Sequence, residues 1–259
     1  MFVPHSRRRA AAAVAIGLLL AGCADNAPQD LFEPAGPNAR KIDEDLGGQR
    51  FIFIVAGIVA ALVIAAVLYI VVKFKDRGQE LPDQGHGKPV LELVMTIGPA
   101  LLLAAVAVPT WIKVMELNES SDAECVVNVT GQQWWWEYDY PAQTCGGITI
   151  PEPIVTSGEM VIPAGVPVQL RITSRDVIHS YWIPALNGKR DAVPGRLHPL
   201  RMEADEPGIY VGQCTEFCGL SHARMRQAVV ALDGADFQTW VDNQLEEYEI
   251  GRASCRERV

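Results

Sequence analysis

Basic charge is scarce where a nucleic-acid-binding protein would need it. Residues 119–248 hold 18 acidic and 8 basic side chains, a net charge of −10 with histidine neutral, and so carry the whole acidic balance of the chain (−9). A field of that sign repels nucleic acid and would steer a basic protein partner toward the region. Charge alone also permits a merely solubilising surface. A disulfide framework is lacking too, because the six cysteines do not form one class. Cys23 ends an N-terminal apolar stretch, Cys125 and Cys145 are far apart, Cys214 and Cys218 are close, and Cys255 lies in the tail. That distribution is a poor match to a small stapled scaffold. There is no internal repeat.

Apolar sequence, by contrast, is abundant. Hydrophobic residues make up 49% of 259, enough length for a real core. The excess lies in three N-terminal stretches, which predicts a membrane anchor followed by a water-soluble domain. Arg7, Arg8 and Arg9 precede twelve small or apolar residues, Ala10 to Ala21. A basic start and an apolar segment too short to span a bilayer predict a secretory signal over residues 1–22. It ends in Leu20-Ala21-Gly22-Cys23, which resembles the lipobox of bacterial lipoproteins and makes Cys23 a candidate lipidation site; a chance cysteine after an ordinary signal is the other reading. Residues 23–50 read as an extracytoplasmic linker.

Phe51 to Val72 is an uncharged run of 22 residues, and Leu93 to Ile112 another of 20, interrupted by Pro99 and Pro109. The first would reach about 33 Å as a helix, enough for a hydrocarbon core, and membrane helices tolerate proline. The connecting loop holds Lys73, Lys75, Arg77 and Lys88 against Asp76, Glu80 and Asp83, an excess that predicts a cytoplasmic loop. Residues 51–116 therefore read as a two-pass hairpin, with everything after about residue 116 outside the cytoplasm.

Residues 117–248 read as β. Val126-Val127-Asn128-Val129-Thr130 and Val166 to Ile172 alternate as half-buried strands do, and turn signals recur at Gly146-Gly147, Ser157-Gly158, Asn187-Gly188 and Pro207-Gly208. Short strands at that spacing predict a β-sandwich or Greek-key barrel. One helix is expected over Ala235 to Tyr248, with Phe237, Trp240, Val241 and Leu245 on one face. Residues 249–259 turn abruptly basic and look like a translated sequencing adapter, so they are set aside.

The chemistry concentrates in Cys214-Thr215-Glu216-Phe217-Cys218-Gly219-Leu220-Ser221-His222-Ala223-Arg224-Met225. Two thiols, an imidazole and a thioether form a soft donor set of the kind that favours copper. A second imidazole is available at His179, after a strand. Two shared thiolates, two imidazoles, a thioether and one backbone carbonyl can hold two copper ions. A structural zinc site is the usual reading of Cys and His clusters, but zinc has no use for Met225. A Cys214–Cys218 disulfide would leave His222 and Met225 unexplained. Met225 taken alone reads as a core residue.

From the first apolar run to Tyr248 the chain resembles subunit II of the haem-copper cytochrome c oxidases. The resemblance implies an α+β membrane protein, a transmembrane helical hairpin followed by an all-β Greek-key cupredoxin barrel that carries the dicopper centre CuA. It implies copper ligation by His179, Cys214, Cys218, His222, Met225 and the backbone oxygen of Glu216, whose carboxylate would also bind magnesium shared with subunit I. It implies partners in subunit I, other oxidase subunits, a c-type cytochrome and a bacterial cell membrane, with the copper domain extracytoplasmic. Gly188 to Arg196 matches the loop facing subunit I. Such a chain would pass electrons to haem in subunit I, as part of a proton-pumping oxidase, and would not reduce oxygen alone.

Gly131 to Trp136 matches the family's aromatic stretch, although Gln132 stands where histidine is usual and Trp135 where tyrosine is. Trp134 falls on the tryptophan that takes electrons from cytochrome c, while Trp135 and Trp136 read as core fillers. Asp139 and Asp176 are acidic candidates for the cytochrome-facing surface. Glu92 matches a glutamate at the mouth of a proton path, or is a snorkelling group at a helix end. Cys125 and Cys145 bracket the aromatic stretch and are candidates for a disulfide. Two rivals remain: a quinol oxidase subunit II, which lacks the copper ligands, and a copper-storage or copper-delivery lipoprotein, which would hardly need two membrane helices.

Overall fold

A computed structural model describes residues 33–44, 49–75, 78, 85, 87–117, 123 and 125–256. Cys23 and the signal-like segment lie outside the described residues. The first described element is a helix where the sequence reads as linker, α1 (Pro37–Glu44), and it is fastened to the β domain. The Ala35 N–H donates to the Ala185 carbonyl (2.7 Å), the Asp205 N–H to the Ala35 carbonyl (3.0 Å), and the Asn38 amide to the Arg201 carbonyl (3.0 Å). Arg40 pairs with Asp205, and Asn38 and Ala39 are buried. These bonds join positions far apart in sequence, so composition could not announce them.

Helices α2 (Gln49–Lys73) and α3 (Pro89–Leu117) are both long and apolar enough to cross a membrane. Leu62, Leu68 and Val72 on α2, and Leu93, Leu101 and Leu103 on α3, are all exposed, so no protein core takes them. A helix apolar all round with no core to enter fits lipid. Helix α3 runs through Pro99 and Pro109, and the Thr96 and Thr110 hydroxyls donate back to the carbonyls of Glu92 and Val106 (2.8 and 2.9 Å). Helix α1 also reaches this part: Lys41 pairs with Glu116 of α3, and Asp43 with Arg50 of α2 (2.9 and 2.8 Å).

The β domain has strands β1 (Cys125–Gln132), β2 (Trp135–Tyr140), β3 (Gln143–Cys145), β4 (Ile148–Ile150), β5 (Ile154–Ser157), β6 (Glu159–Pro163), β7 (Val168–Ser174), β8 (His179–Tyr181), β9 (Arg190–Ala192), β10 (His198–Met202), β11 (Gly208–Gln213) and β12 (Arg226–Leu232). A five-stranded sheet, β10-β7-β1-β2-β5, packs on a three-stranded sheet, β11-β12-β6, with β3-β4 and β8-β9 as small ladders. The fold is thus a two-sheet sandwich. Cys125, Val127 and Val129 point inward from β1 by strand alternation. With Tyr138, Leu170 and Ile172 they meet Met160, Ile162, Val229 and Ala231 in one core. Each fully buried aliphatic of this kind contributes about 1.5–3 kcal/mol. Helix α4 (Gly234–Arg256) caps the core with Phe237 and Val241 buried and Trp240 and Leu245 half-buried. Its backbone continues past Tyr248, where the sequence reading ended the helix.

One parallel and one antiparallel pairing position the functional site. Strand β7 runs alongside β1, with Ser174 opposite Gly131, and Gly131 also pairs with Trp136 of β2. The end of β7 therefore meets the β1–β2 turn, and the chain leaving it leads directly to His179. Cys125 and Cys145 are disulfide-bonded, with Cα atoms 4.9 Å apart, linking the start of β1 to β3. The bond closes a loop of sequence separation 20. By the loop-entropy model, the Cys125→Ala/Cys145→Ala variant should lose about 3 kcal/mol. Urea unfolding followed by tryptophan fluorescence tests this, and an unchanged midpoint would refute it.

Candidate metal centre

Strands β11 and β12 pair antiparallel, with Gln213 opposite Arg226, so residues 214–225 form the loop between them. Cys214 and Met225 face each other at its mouth, where the Cys214 N–H donates to the Met225 carbonyl (3.0 Å). A 3-10 turn, His222–Arg224, closes the far side; the His222 N–H donates to the Gly219 carbonyl and the Met225 N–H to the His222 carbonyl (3.1 Å each). The Thr215 N–H donates to the Ser180 carbonyl (3.1 Å), fastening the loop to β8 beside His179. Strand β8 is itself held by β9, with His179 opposite Ala192 and the Ser180 hydroxyl donating to Asp191 (2.8 Å).

Six sequence-derived candidates converge here. The sulfurs of Cys214 and Cys218 are 3.9 Å apart and unbonded, and a ring nitrogen of His179 lies with them inside a 4.8 Å cluster. Cys218 Sγ is 3.6 Å from His222 Nδ1 and 3.8 Å from Met225 Sδ, while Cys214 Sγ is 3.3 Å from the Glu216 carbonyl oxygen. His179, Cys214, Cys218 and Met225 are buried; the Glu216 side chain is exposed. His179 Nε2 is bonded to Asp176 (2.9 Å), which leaves Nδ1 buried without a hydrogen-bond partner. A buried ring nitrogen rarely stays unpaired unless something else takes its lone pair. Sulfur, imidazole and carbonyl donors around that atom fit a soft metal, and Met225 and the Glu216 oxygen lie beyond what a four-ligand zinc site needs.

The electrostatics favour one thiolate and resist a second. Burial pushes the Cys214 thiol up, but His179, backbone groups of Ser180 and Glu216, and His222 outweigh it and bring it down to about 7. Burial and then the neighbouring Cys214 push Cys218 up to about 12. Burial opposes charge on His179, yet Cys214 and Asp176 raise it above the usual imidazole range. Asp176 is lowered: burial works against this, and His179 with the Gln133 and Val177 N–H groups overcomes it. Without a cation the second thiol keeps its proton.

The β1–β2 turn lies over this loop. The Gln133 side-chain amide and the Trp134 indole N–H both donate to the Cys218 carbonyl (2.7 and 3.2 Å). Trp134 keeps 36% of its surface exposed. Gly219, at φ +120°, makes this approach feasible: a Cβ there would lie 2.9 Å from the Gln133 amide nitrogen and 3.3 Å from the indole. Trp136 is buried against His179, ring centroids 5.8 Å apart. Trp135 corrects its reading as a core filler, being 40% exposed because strand alternation turns it opposite to Trp136.

Other predicted residues lie elsewhere. Glu92 is exposed in the first turn of α3, and Asp139 takes a hydrogen bond from Asn128 (3.0 Å). Asp176, read as a surface acid, is exposed and also bonds His179 Nε2 (2.9 Å). Gln133 was not singled out from sequence; nothing in a lone glutamine signals a bond to a carbonyl some eighty positions away.

Residues 125–232 match the family model described as cytochrome c oxidase subunit II, periplasmic domain, and residues 27–112 match the transmembrane domain of the same family. Cytochrome c oxidase subunit 2 of Alkalihalophilus pseudofirmus is 34% identical over 240 residues, covering 90% of this chain and 67% of that one. The Arabidopsis thaliana protein of the same name is 31% identical over 223 residues, covering 78% and 84%. The crystal structure of the periplasmic domain of subunit II of cytochrome oxidase from Bradyrhizobium japonicum aligns with TM-score 0.45 and 29% identity, covering 50% of this chain and 99% of that one. Matched through both its apolar helices and its β domain, the chain belongs to the cytochrome c oxidase subunit II family.

Proposed function

We propose that this chain takes electrons from a c-type cytochrome at a dicopper CuA centre and passes them toward haem in subunit I. His179, Cys214, Cys218, His222, Met225 and the Glu216 carbonyl would hold the metal. The observation that carries this is the buried, unpaired Nδ1 of His179 beside two unbonded thiols and a thioether. Two copper ions there supply a one-electron redox centre whose charge is shared between them. The ligand set argues against a quinol oxidase subunit, and two membrane-length helices argue against a copper-delivery lipoprotein.

The protein's own part is to position and to exclude. Burial of His179, Cys214, Cys218 and Met225 keeps water from the sulfurs. Trp134 offers an exposed indole as docking anchor and electron port, bonded to the carbonyl of a ligand residue. The exposed Glu216 carboxylate is available to magnesium at the boundary with subunit I, and Gly188 to Arg196, tied to His179 through β9, would face that subunit. The β domain would lie outside a bacterial cell membrane crossed twice, with lipid on Cys23 as a further anchor and Glu92 at a proton path on the inner side. The chain is a subunit of an enzyme and would not reduce oxygen alone.

Detergent-purified full chain given copper should bind two ions and turn purple, with an EPR signal of one electron spread over two nuclei. A blue single-copper spectrum, or no uptake, would overturn the reading. Trp134→Phe should keep that spectrum while slowing stopped-flow reduction by cytochrome c about tenfold or more, as expected for a lost interface anchor. In the metal-free chain, thiolate absorbance should rise in one step near pH 7 that Cys214→Ala abolishes, with no second ligand thiol ionising before about pH 12. Two thiol steps close together would contradict the asymmetry.

A further inference from the structure

We propose that Asp176 is a positioning residue for electron uptake, fixing the His179 ring from behind and holding the Trp134 turn with the same carboxylate. The proposal rests on the dicopper reading and deepens it. His179 is fully buried, with Trp136 against it and Gly131 so near that a Cβ there would lie 3.0 Å from the ring. Packing restrains the ring faces but does not choose which nitrogen carries the proton. Asp176 does: its Oδ1 lies 2.9 Å from Nε2, so the ring donates there and presents its Nδ1 lone pair toward the thiols. A carboxylate behind a ligand imidazole fixes its tautomer and makes it a stronger donor.

The other oxygen does separate work. Asp176 Oδ2 accepts the Gln133 backbone N–H at 2.7 Å. Gln133 and Trp134 in turn both bond the Cys218 carbonyl. The turn bearing the exposed indole is therefore clamped between Asp176 on the His179 side and Cys218 on the loop side. The carboxylate is itself held, taking the Val177 N–H on Oδ1 (2.6 Å), and its turn is closed by Ser174, whose hydroxyl donates to the Val177 carbonyl (2.5 Å) and accepts the Asp176 N–H (3.2 Å). The side chain stays 32% exposed, yet both its oxygens are bonded within the domain, which a docking charge alone would not need.

Asp176→Asn in the copper-loaded full chain separates the two roles. It keeps the side-chain shape but removes the charge and cannot satisfy both His179 and the Gln133 N–H as an acceptor. The expected result is an upward shift of the copper midpoint potential, a changed copper hyperfine pattern, and about tenfold slower reduction by cytochrome c at both low and high salt. Asp139→Asn, which removes an acid bonded to Asn128 instead, should leave potential and spectrum unchanged. An Asp176→Asn protein with wild-type potential and spectrum, slowed only at low salt, would overturn the proposal and make Asp176 a docking charge. Should that variant fail to take copper, Ser174→Ala, which removes the hydroxyl that donates to the Val177 carbonyl and accepts the Asp176 N–H and so loosens the turn carrying the carboxylate, should shift the potential the same way by less; no shift there would also overturn it. Failure of the wild-type chain to give a dicopper spectrum would sink the underlying reading instead.

Discussion

Two thiols held 3.9 Å apart, unbonded and buried, are the constraint around which the β domain is arranged. Burying two negative sulfurs side by side is unfavourable unless positive charge joins them, and the opposed shifts of Cys214 and Cys218 express that conflict. The easy escape would be to close a disulfide, and the two thiols are unbonded. Cys214 is fixed at the mouth of the β11–β12 hairpin by its bond to Met225, while Cys218 is held from the other side by Gln133 and Trp134 on its carbonyl. Each sulfur is anchored through its own backbone to a different sheet.

The clustering at residues 214–225 was legible because its thiols, imidazole and thioether are close in sequence, without any knowledge of the fold. His179 was legible as a partner, though its arrival depends on the parallel β1–β7 pairing that brings the end of β7 to the β1–β2 turn. The apolar helices were legible from length and lack of charge. What escaped depended on contacts across long separations. The segment containing α1 has the proline and asparagine of a linker, yet Asn38 finds the Arg201 carbonyl and Arg40 finds Asp205. Trp135 was misplaced because three consecutive tryptophans conceal the strand alternation that sends one in and its neighbour out. Asp176 is exposed, as its reading expected, but its bond to His179 was not legible, since sequence cannot tell which surface acids also reach an imidazole.

Helix α1 changes how the two halves of the chain relate. It bonds to the β domain through Asn38 and Arg40, to α3 through Lys41 and Glu116, and to α2 through Asp43 and Arg50. The exposed pairs contribute little energy individually. Their value is geometric, because a short helix attached to both sides restricts how a domain can swing on the apolar helices that carry it.

The loop of residues 214–225 also shows how a buried cluster of donors stays within reach of the surface. Its inward side chains are Cys214, Cys218 and Met225, while Phe217 and Leu220 stand 77% and 97% exposed. The wall between sulfur and solvent is thus a single layer of backbone. Gly219, whose φ of +120° and close approach to Gln133 and Trp134 disfavour a side chain, lets the indole lie directly on that layer. A thicker wall would have dried the sulfurs equally well but would have moved Trp134 away from the Cys218 carbonyl. Thinness at this one point, with close packing elsewhere, reconciles exclusion of water with nearness to the surface.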